Sequence, residues 1–215
     1  VETAARLRAE GHEVIAFRCD VTLPMDVRDA TLSATEAMGR VDILVNNAGA
    51  ATSNPLGRIT IEEWNHLLAV NATGTFLCTQ AVFDGMIERR WGRIVNVASI
   101  AGLEGDKYIS AYTAAKHAVV GFTKAISAET RGKGITVNAV CPGYVDTPLT
   151  DETIARIMHH TGKSWQEALT AVLSQAGQPR LIRAHEVADK IRELCLEESH
   201  TRTGELIVMD GSESL

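Results

Sequence analysis

The chain has 215 residues, a formal net charge of −6, and 45% apolar and 22% charged residues, which is the composition of an ordinary globular protein. No apolar run approaches the roughly 20 residues that a membrane-spanning helix needs, so we expect no membrane segment. The acidic balance, with no dominant cluster of Lys or Arg, argues against a nucleic-acid partner, and the length suits a single domain over residues 1–215.

Five short β-rich runs alternate with longer stretches of helical period. The runs are "HEVIAFRC" (12–19), "VDILVNN" (41–47), "GRIVNVAS" (92–99), "GITVNAVC" (134–141) and "GELIVMD" (204–210). Nearly continuous Val, Ile and Leu, without polar alternation, is typical of parallel strands that helices cover on both faces. The pattern predicts an α/β fold with a doubly wound parallel sheet.

Several helices are also legible in the sequence. Helical period predicts long helices around 63–88 and 110–131, and two amphipathic helices within 149–181. Two stretches match the capping box, in which two side chains satisfy free backbone N–H groups at a helix start. They are Thr60 with Glu63, and Ser164 with Glu167.

The four cysteines are widely separated and form no CxxC pair; they are Cys19, Cys78, Cys141 and Cys195. Three of them lie in apolar runs, where a buried free thiol is the common outcome. The N-terminal residues mix acidic and basic side chains and lack the apolar stretch of a signal peptide. These features predict a reducing, cytoplasmic location.

Polar and small residues follow three of the predicted strands. The segments are "NNAG" (46–49), "NVASIAG" (96–102) and "CPGYVDTP" (141–148). Ala48 and Gly49 would let a flat ligand approach the backbone, Ser99 would lie at a strand end, and Pro142 and Gly143 would force a turn. Any one of these could simply end a strand. Their coincidence favours a ligand site at the carboxyl edge of the sheet.

The run "AYTAAKHAVV" (111–120) places Tyr112 and Lys116 one helical turn apart among small and apolar residues. A free phenol titrates near pH ~10 and is a poor base at neutrality. A nearby ammonium would favour the phenolate, so this spacing predicts that Lys116 activates Tyr112.

Taken together, these segments resemble the short-chain dehydrogenase/reductase family of nicotinamide-dependent oxidoreductases. Ser99 precedes Tyr112 by 13 positions, as in that family, and the resemblance runs from "CDVT" (19–22) to "MDG" (209–211). It implies a Rossmann-like sheet, NAD or NADP as cofactor, and a small-molecule substrate. The implied activity interconverts a carbonyl and a secondary alcohol by hydride transfer.

The resemblance also assigns catalytic roles. Tyr112 corresponds to the acid/base that exchanges a proton with the substrate oxygen. Lys116 corresponds to the residue that favours the phenolate and bonds the nicotinamide ribose. Ser99 corresponds to the residue that orients the substrate oxygen, and Asn71 in "VNATG" (70–74) to the residue that holds a water linking the lysine to solvent.

The implied cofactor contacts fall into three groups. Asp20 and Val21 match the adenine contact; Asn47, Ala48 and Gly49 match the stretch under the adenosine ribose; Pro142, Gly143, Val145 and Thr147 match the wall around the nicotinamide. For Asp20, a role as helix N-cap or turn residue is the alternative. We expect no metal site, because the adjacent His159 and His160 would point about 100° apart on a helix.

One departure from the family is large. Its members begin with a glycine-rich strand–helix–strand unit of the T-G-x-x-x-G-x-G kind, whereas this sequence opens with "VETAARLRAEG" (1–11). In the family's sheet order, two strands would lie between 12–19 and 41–47, and their absence would leave a gap of roughly 14 Å. We expect either a longer natural polypeptide, which we favour, or a first strand that re-pairs or frays. The same unit carries the pyrophosphate site and the residue that selects NAD or NADP.

The resemblance finally suggests a substrate class and an assembly. The length of 149–181, together with "KHAVVGFTKAISAE" (116–129), resembles members that act on 3-oxoacyl or 3-hydroxyacyl compounds, in which the insert is a mobile lid. Family members pair through the two long helices, so we expect a homo-oligomer, a dimer or tetramer. The alternative to an enzyme is a silent or truncated scaffold that acts in assembly without turnover.

Overall fold

The computed structural model describes residues 2–212, and its main sheet has four parallel strands in the order β1–β2–β3–β6. These strands are β1 (Ile43–Asn46), β2 (Gly92–Val97), β3 (Ile135–Pro142) and β6 (Leu206–Met209). A short second ladder pairs β4 (Val145–Asp146) with β5 (Ile182–Arg183), also in parallel. Four of the five predicted strands are confirmed, as is their parallel pairing.

Eight α-helices are found within the described residues. They are α1 (Glu2–Ala9), α2 (Pro24–Met38), α3 (Ile61–Leu68), α4 (Gly74–Arg89), α5 (Ser110–Glu129), α6 (Pro148–Thr161), α7 (Trp165–Gln175) and α8 (Ala184–Cys195). The predicted helix around 110–131 is confirmed as α5, and 149–181 contains the two predicted helices. No helix in the part of the chain that the structure describes is long and apolar enough to cross a membrane.

The central strands are buried by helices on both faces of the sheet. Ile94 and Val137, which are register partners, pack against α4 and α5. On the opposite face, Val95 and Val140 pack against α8. Successive residues of a strand point to opposite faces, so a strand covered on both sides needs apolar residues at nearly every position. The doubly wound, Rossmann-like arrangement is therefore confirmed.

The strand predicted over 12–19 was wrong. Within the described residues this segment pairs with no strand, and Ile15 and Phe17 are exposed. It is held instead by α1, since the Arg8 side chain donates a hydrogen bond to the Val14 carbonyl at 2.7 Å. A run of β-branched residues indicates that the side chains suit a pleated sheet. A strand also needs a neighbouring strand to accept and donate its backbone hydrogen bonds. The outcome matches the unpaired alternative rather than a re-paired strand.

The predicted helix around 63–88 is two α-helices joined by a π-helical turn over Ala69–Thr73. Here the Gly74 N–H donates to the Ala69 carbonyl, five residues earlier. The Asn71 side-chain amide donates to the Leu67 carbonyl at 2.9 Å. Such turns concentrate at functional sites, and hydrophobic periodicity does not reveal them.

One of the two predicted capping boxes is complete. Ser164 accepts from the Glu167 N–H, and the Glu167 carboxylate accepts from the Ser164 N–H at 2.8 Å. At the other, the Glu63 N–H donates to the Thr60 hydroxyl at 3.1 Å. The Glu63 carboxylate accepts from the Asn54 side-chain amide at 3.0 Å, which ties the loop after β1 to α3.

A buried network of amides and hydroxyls joins β1 and β2 to the helices. Asn46 Nδ2 donates to Asn96 Oδ1 at 2.8 Å and to the Thr79 hydroxyl at 3.1 Å, and Asn96 Nδ2 donates to the Thr123 hydroxyl at 2.9 Å. Asn96 and Thr123 are fully buried. Because buried polar groups that lose a partner are costly, this network fixes the pairing of β1 with β2.

We expect Asn96→Leu, which has a similar volume, to lower the free energy of unfolding by roughly 1–3 kcal/mol. The reason is that the Asn46 amide would lose its acceptor in the core. Urea denaturation measures the change, with Asn65→Leu on the exposed face of α3 as the control. Equal stability of the Asn96 variant and the control would contradict this view of the network.

Candidate active site

Three strands deliver the predicted site segments to one edge of the sheet. Asn46 ends β1, Ser99 follows the end of β2 by two residues, and Pro142 ends β3. In the register, Asn46 pairs with Asn96 and Val97 pairs with Val140, so the carboxyl ends of the strands lie side by side. The predicted convergence of the three segments at one edge of the sheet is confirmed.

Ser99 lies close to Tyr112, as the resemblance implied. It caps the short 3₁₀ turn Ile100–Gly102, where its hydroxyl oxygen accepts from the Ala101 N–H at 3.1 Å. The Ser99 hydroxyl donates to the Pro142 carbonyl at 3.4 Å and is near enough to the Tyr112 phenol to influence its pKa. The two hydroxyl groups can therefore address one substrate oxygen.

Burial raises the pKa of Tyr112 above its ordinary value of 10.0. The neighbouring Ser99 hydroxyl lowers the pKa of Tyr112 in part, and the charge of a Tyr144 phenolate raises it further. This direction differs from the expected activation by Lys116. The physical reason is that burial disfavours the phenolate, and Lys116 Nζ lies 5.7 Å from the centre of the Tyr112 ring, over its face.

Lys116 is buried and 5% exposed, and its Nζ donates to the Val97 carbonyl at 2.9 Å. Burial lowers the pKa of Lys116 to about 8, while Cys141 opposes the shift. The amine is thus held at the end of β2 and titrates near neutrality. A group with such a pKa can both give and take a proton under ordinary conditions.

The segment after β1 offers an open strip of backbone beside these groups. Asn47, Ala48 and Gly49 are exposed. A Cβ atom at Gly49 would lie 3.2 Å from Asn71 Oδ1 and 3.7 Å from Lys116 Nζ. The glycine thus leaves the Asn71 amide and the Lys116 amine close to the strip. A ribose bound there would be in reach of the lysine.

Asn71 is buried and 1% exposed, and it joins the strip to the π-helical turn. Its Nδ2 donates to the Ala50 and Leu67 carbonyls, both at 2.9 Å, and the Ala50 N–H approaches its Oδ1 at 3.4 Å. The Asn71 carbonyl accepts from the Thr75 hydroxyl at 2.7 Å. Asn71 therefore holds the loop after β1 against α3.

The segment after β3 forms a wall at the same edge. The Gly143 N–H donates to the Met209 carbonyl at 2.9 Å, and the Thr147 hydroxyl donates to the Val145 carbonyl at 3.3 Å. Val145 begins β4, and Thr147 precedes α6. The chain thus runs from Pro142, at the end of β3, through the short strand β4 to Thr147, just before α6.

The structure shows Asp20 as a turn residue. Its Oδ1 accepts from the Thr22 N–H at 2.9 Å and from the Thr22 hydroxyl at 2.7 Å, and these bonds lower the pKa of the carboxyl. Val21 packs against α4, where a Cβ at Gly74 would lie 2.8 Å from Val21 Cγ2. Gly74 is three residues from Asn71 on the same helical surface. An adenine contact by Asp20 stays a prediction.

The residues at this edge fit the nicotinamide, its ribose and the adenosine ribose of a dinucleotide. The fit rests on the open backbone strip close to the buried Lys116 amine, and on the segment after β3 at the same edge of the sheet. The glycine-rich pattern that the family uses for the pyrophosphate does not occur in the 215-residue sequence. The fit therefore concerns the riboses and the nicotinamide.

Two features of the site were missed by sequence reasoning. Tyr144 packs with α6 and α7, in a cluster with Ile154 and Leu169, and acts electrostatically on Tyr112. Gln178 is buried against the same turn. An aromatic residue inside "CPGYVDTP" was the available signal for Tyr144. Nothing in the sequence pattern marked Gln178.

We expect the buried Lys116 to make stability depend on pH. Between its pKa of about 8 in the folded chain and its ordinary value of 10.5, the unfolded chain keeps a proton that the folded chain has released. The free energy of unfolding therefore rises with pH across this window. Lys116→Met removes this contribution to stability. The free energy of unfolding of wild type minus that of the variant should therefore rise with pH.

Denaturant unfolding of both proteins between about pH 7 and pH 10 measures this difference. The raised pKa of the Cys78 thiol lowers stability above pH 9, the ordinary thiol value, in both proteins and cancels. The Lys116 ammonium lowers the pKa of the Cys141 thiol, so its removal in the variant adds to the same upward trend. A difference that stays flat or falls with pH would contradict the burial of the amine.

The fold and this edge of the sheet define a nucleotide-dependent α/β enzyme, and comparison with known proteins gives its family. A family model described as short chain dehydrogenase matches residues 1–157. The chain belongs to this family of NAD(P)-dependent oxidoreductases, so it is an oxidoreductase.

Several curated relatives match most of the chain. D-beta-hydroxybutyrate dehydrogenase of Rhizobium meliloti is 34% identical over 200 residues, which cover 92% of this chain and 77% of the relative. The 3-oxoacyl-[acyl-carrier-protein] reductase FabG of Vibrio cholerae is 36% identical over 192 residues, covering 89% and 74%. The (2S)-[(R)-hydroxy(phenyl)methyl]succinyl-CoA dehydrogenase subunit BbsD of Thauera aromatica is 35% identical over 213 residues, covering 99% and 81%.

Proposed function

We propose that the chain interconverts a carbonyl and a secondary alcohol, with NAD or NADP as hydride carrier. The observation that carries the proposal is the arrangement of three groups at one sheet edge. The Ser99 hydroxyl lies near the Tyr112 phenol, and the buried Lys116 amine lies 5.7 Å from the centre of the Tyr112 ring and close to the open strip after β1. A bound nicotinamide dinucleotide supplies or accepts the hydride.

During reduction, the Ser99 hydroxyl donates a hydrogen bond to the substrate carbonyl oxygen, and Tyr112 gives that oxygen its phenolic proton. The raised pKa of Tyr112 suits this direction, because the phenol stays protonated at neutral pH. Lys116, with a pKa of about 8, can return a proton to Tyr112. The Asn71 region then links the lysine to solvent through a water.

The proposed cofactor site uses the residues already described. Lys116 bonds the nicotinamide ribose, Asn47 to Gly49 line the adenosine ribose, and Pro142 to Thr147 surround the nicotinamide amide. Asp20 and Val21 contact adenine. A fluorescence titration with NADH and with NADPH tests this assignment. Saturable binding supports it and identifies the preferred cofactor, whereas a folded sample that binds neither would favour the silent-scaffold alternative.

We propose a 3-oxoacyl or 3-hydroxyacyl compound as the substrate. Support comes from the insert 149–181, whose helices α6 and α7 pack on Tyr144 beside Tyr112, as a lid would. The relatives include a 3-oxoacyl-[acyl-carrier-protein] reductase and a D-beta-hydroxybutyrate dehydrogenase. A substrate panel decides the question. Turnover of cyclic or steroid alcohols, with none of 3-oxoacyl thioesters or 3-hydroxybutyrate, would contradict the proposal.

We also propose a single-domain homo-oligomer, a dimer or tetramer, that acts in the cytoplasm without nucleic-acid or membrane partners. Support for the assembly comes from α4 and α5, where Phe76 is 42% exposed and packs edge-to-face on Phe122 at 6.2 Å. A partly exposed aromatic pair that joins the two long helices suits a helix-to-helix interface. Sedimentation that shows a stable monomer at micromolar concentration would contradict it.

A further inference from the structure

Gln178 joins the end of the insert 149–181 to the turn after β3. Its side chain is 5% exposed. Its Oε1 accepts from the Tyr144 N–H at 2.8 Å, and its Nε2 donates to the Tyr144 carbonyl, also at 2.8 Å. One side-chain amide thus pairs with both backbone groups of Tyr144, as a residue of a neighbouring strand would.

The amide extends the short ladder between β4 and β5. In that ladder, Val145 pairs with Ile182, and the Ile182 N–H donates to the Tyr144 carbonyl at 3.0 Å. Gln178 Nε2 also donates to the Arg180 carbonyl. The hydrogen-bonding groups of the buried amide are therefore engaged, and they hold Tyr144 from the side of the insert.

The same amide lies against Gly143. A Cβ atom there would overlap Gln178 Oε1 and would lie 3.3 Å from Ile100 Cδ1. The backbone of the turn therefore approaches the glutamine closely because residue 143 has no side chain. Gly143 belongs to the proposed nicotinamide wall, so the amide and that wall are in direct contact.

Tyr144 links the insert to Tyr112, the candidate acid. Its ring packs among the apolar residues of α6 and α7, and its phenol acts electrostatically on Tyr112. A change in the position of residues 143–144 would therefore move the wall and the base of the insert together. Gln178 is the buried polar group that sets this position.

We propose that Gln178 is a positioning residue: its side-chain amide holds residues 143–144 in place and couples the insert 149–181 to the wall of the cofactor site. The inference rests on the proposed function, because the wall it holds is the one proposed for the nicotinamide. It does not make Gln178 a catalytic residue, since its amide is occupied by backbone groups.

The first test replaces Gln178 with methionine, which keeps the length of the side chain and removes the amide. We expect kcat to fall by about 10- to 100-fold and the KM for the cofactor to rise, per unit of folded protein, because small misplacements near a reacting centre are costly. Gln166→Met is the matched control, since Gln166 is an exposed glutamine of α7. A merely structural role would lower the melting temperature and leave kcat per folded molecule unchanged, and that result would overturn the proposal.

The second test uses the contact with Gly143. Gly143→Ala should lower kcat, because its Cβ would overlap the glutamine oxygen. Adding Gln178→Ala removes that oxygen and with it the overlap, so the double variant should be no less active than Gln178→Ala alone. If the double variant shows the full product of the two single losses, the two residues act independently and the proposal is wrong.

Limited proteolysis separates failure of this inference from failure of the proposed function. If the wild type turns over no carbonyl substrate with either cofactor, the proposed function fails. The positioning claim is then decided by cleavage within 149–181. Faster cleavage of the Gln178→Met protein than of wild type and Gln166→Met supports it, and equal rates for all three overturn it.

Discussion

Replacing Tyr112 with phenylalanine is expected to lower kcat by about 10²–10⁴-fold, the usual contribution of a positioned acid or base. The ring and its place on α5 are kept, and only the hydroxyl near Ser99 is lost. The reaction would then lack its proton donor. Steady-state rates with a 3-oxoacyl thioester and the preferred cofactor measure the loss.

Tyr108→Phe provides the matched control, because it removes the same hydroxyl group at a different position. Tyr108 lies in the loop before α5 and is 61% exposed. Cofactor affinity, from fluorescence titration, should be unchanged in both variants. If Tyr112→Phe retains the turnover of wild type, Tyr112 is not the acid and another group must protonate the substrate oxygen.

Gly102→Ala is expected to lower kcat by about 10²-fold without unfolding the protein. Gly102 ends the 3₁₀ turn that Ser99 begins, and a Cβ there would lie 2.7 Å from the Lys116 carbonyl and 3.1 Å from Val120 Cγ2. The first atom belongs to the backbone of α5, so the helix that carries Tyr112 must move away from Ser99. Kinetics and circular dichroism together measure the effect.

Gly105→Ala is the control for this substitution. Gly105 lies in the loop between the 3₁₀ turn and α5, is exposed, and has open space where a Cβ would lie. Alanine at this position should leave activity unchanged and raise stability by roughly 0.4–1 kcal/mol. Equal activity of the two alanine variants would show that the distance between Ser99 and α5 is not critical.

Much of the fold could be predicted because its physical basis is local. Buried parallel strands need apolar residues on both faces, so β1, β2, β3 and β6 were visible as continuous apolar runs. The segment 12–19 has the same pattern, and its pairing failed because a ladder depends on a partner elsewhere in the chain. Local pattern carries no information about that partner.

In the candidate site, too, some features could be predicted from local pattern and others could not. The positions of Ser99, Tyr112 and Lys116 followed from strand ends and one helical turn, and the structure brings these residues together. The direction of the pKa shift of Tyr112 did not follow, because it depends on burial by distant segments. The π-helical turn at Asn71 and the amide of Gln178 likewise arise from backbone geometry that spacing does not encode.

The central claim is hydride transfer to a carbonyl at this site. The most direct measurement gives the protein a 3-oxoacyl thioester and a nicotinamide cofactor carrying deuterium at the transferable position, followed by mass spectrometry of the product. We predict one deuterium on the new alcohol carbon, and a much lower yield of that alcohol from the Tyr112→Phe protein in the same time. A folded protein that forms no deuterated alcohol across the substrate panel would contradict the claim.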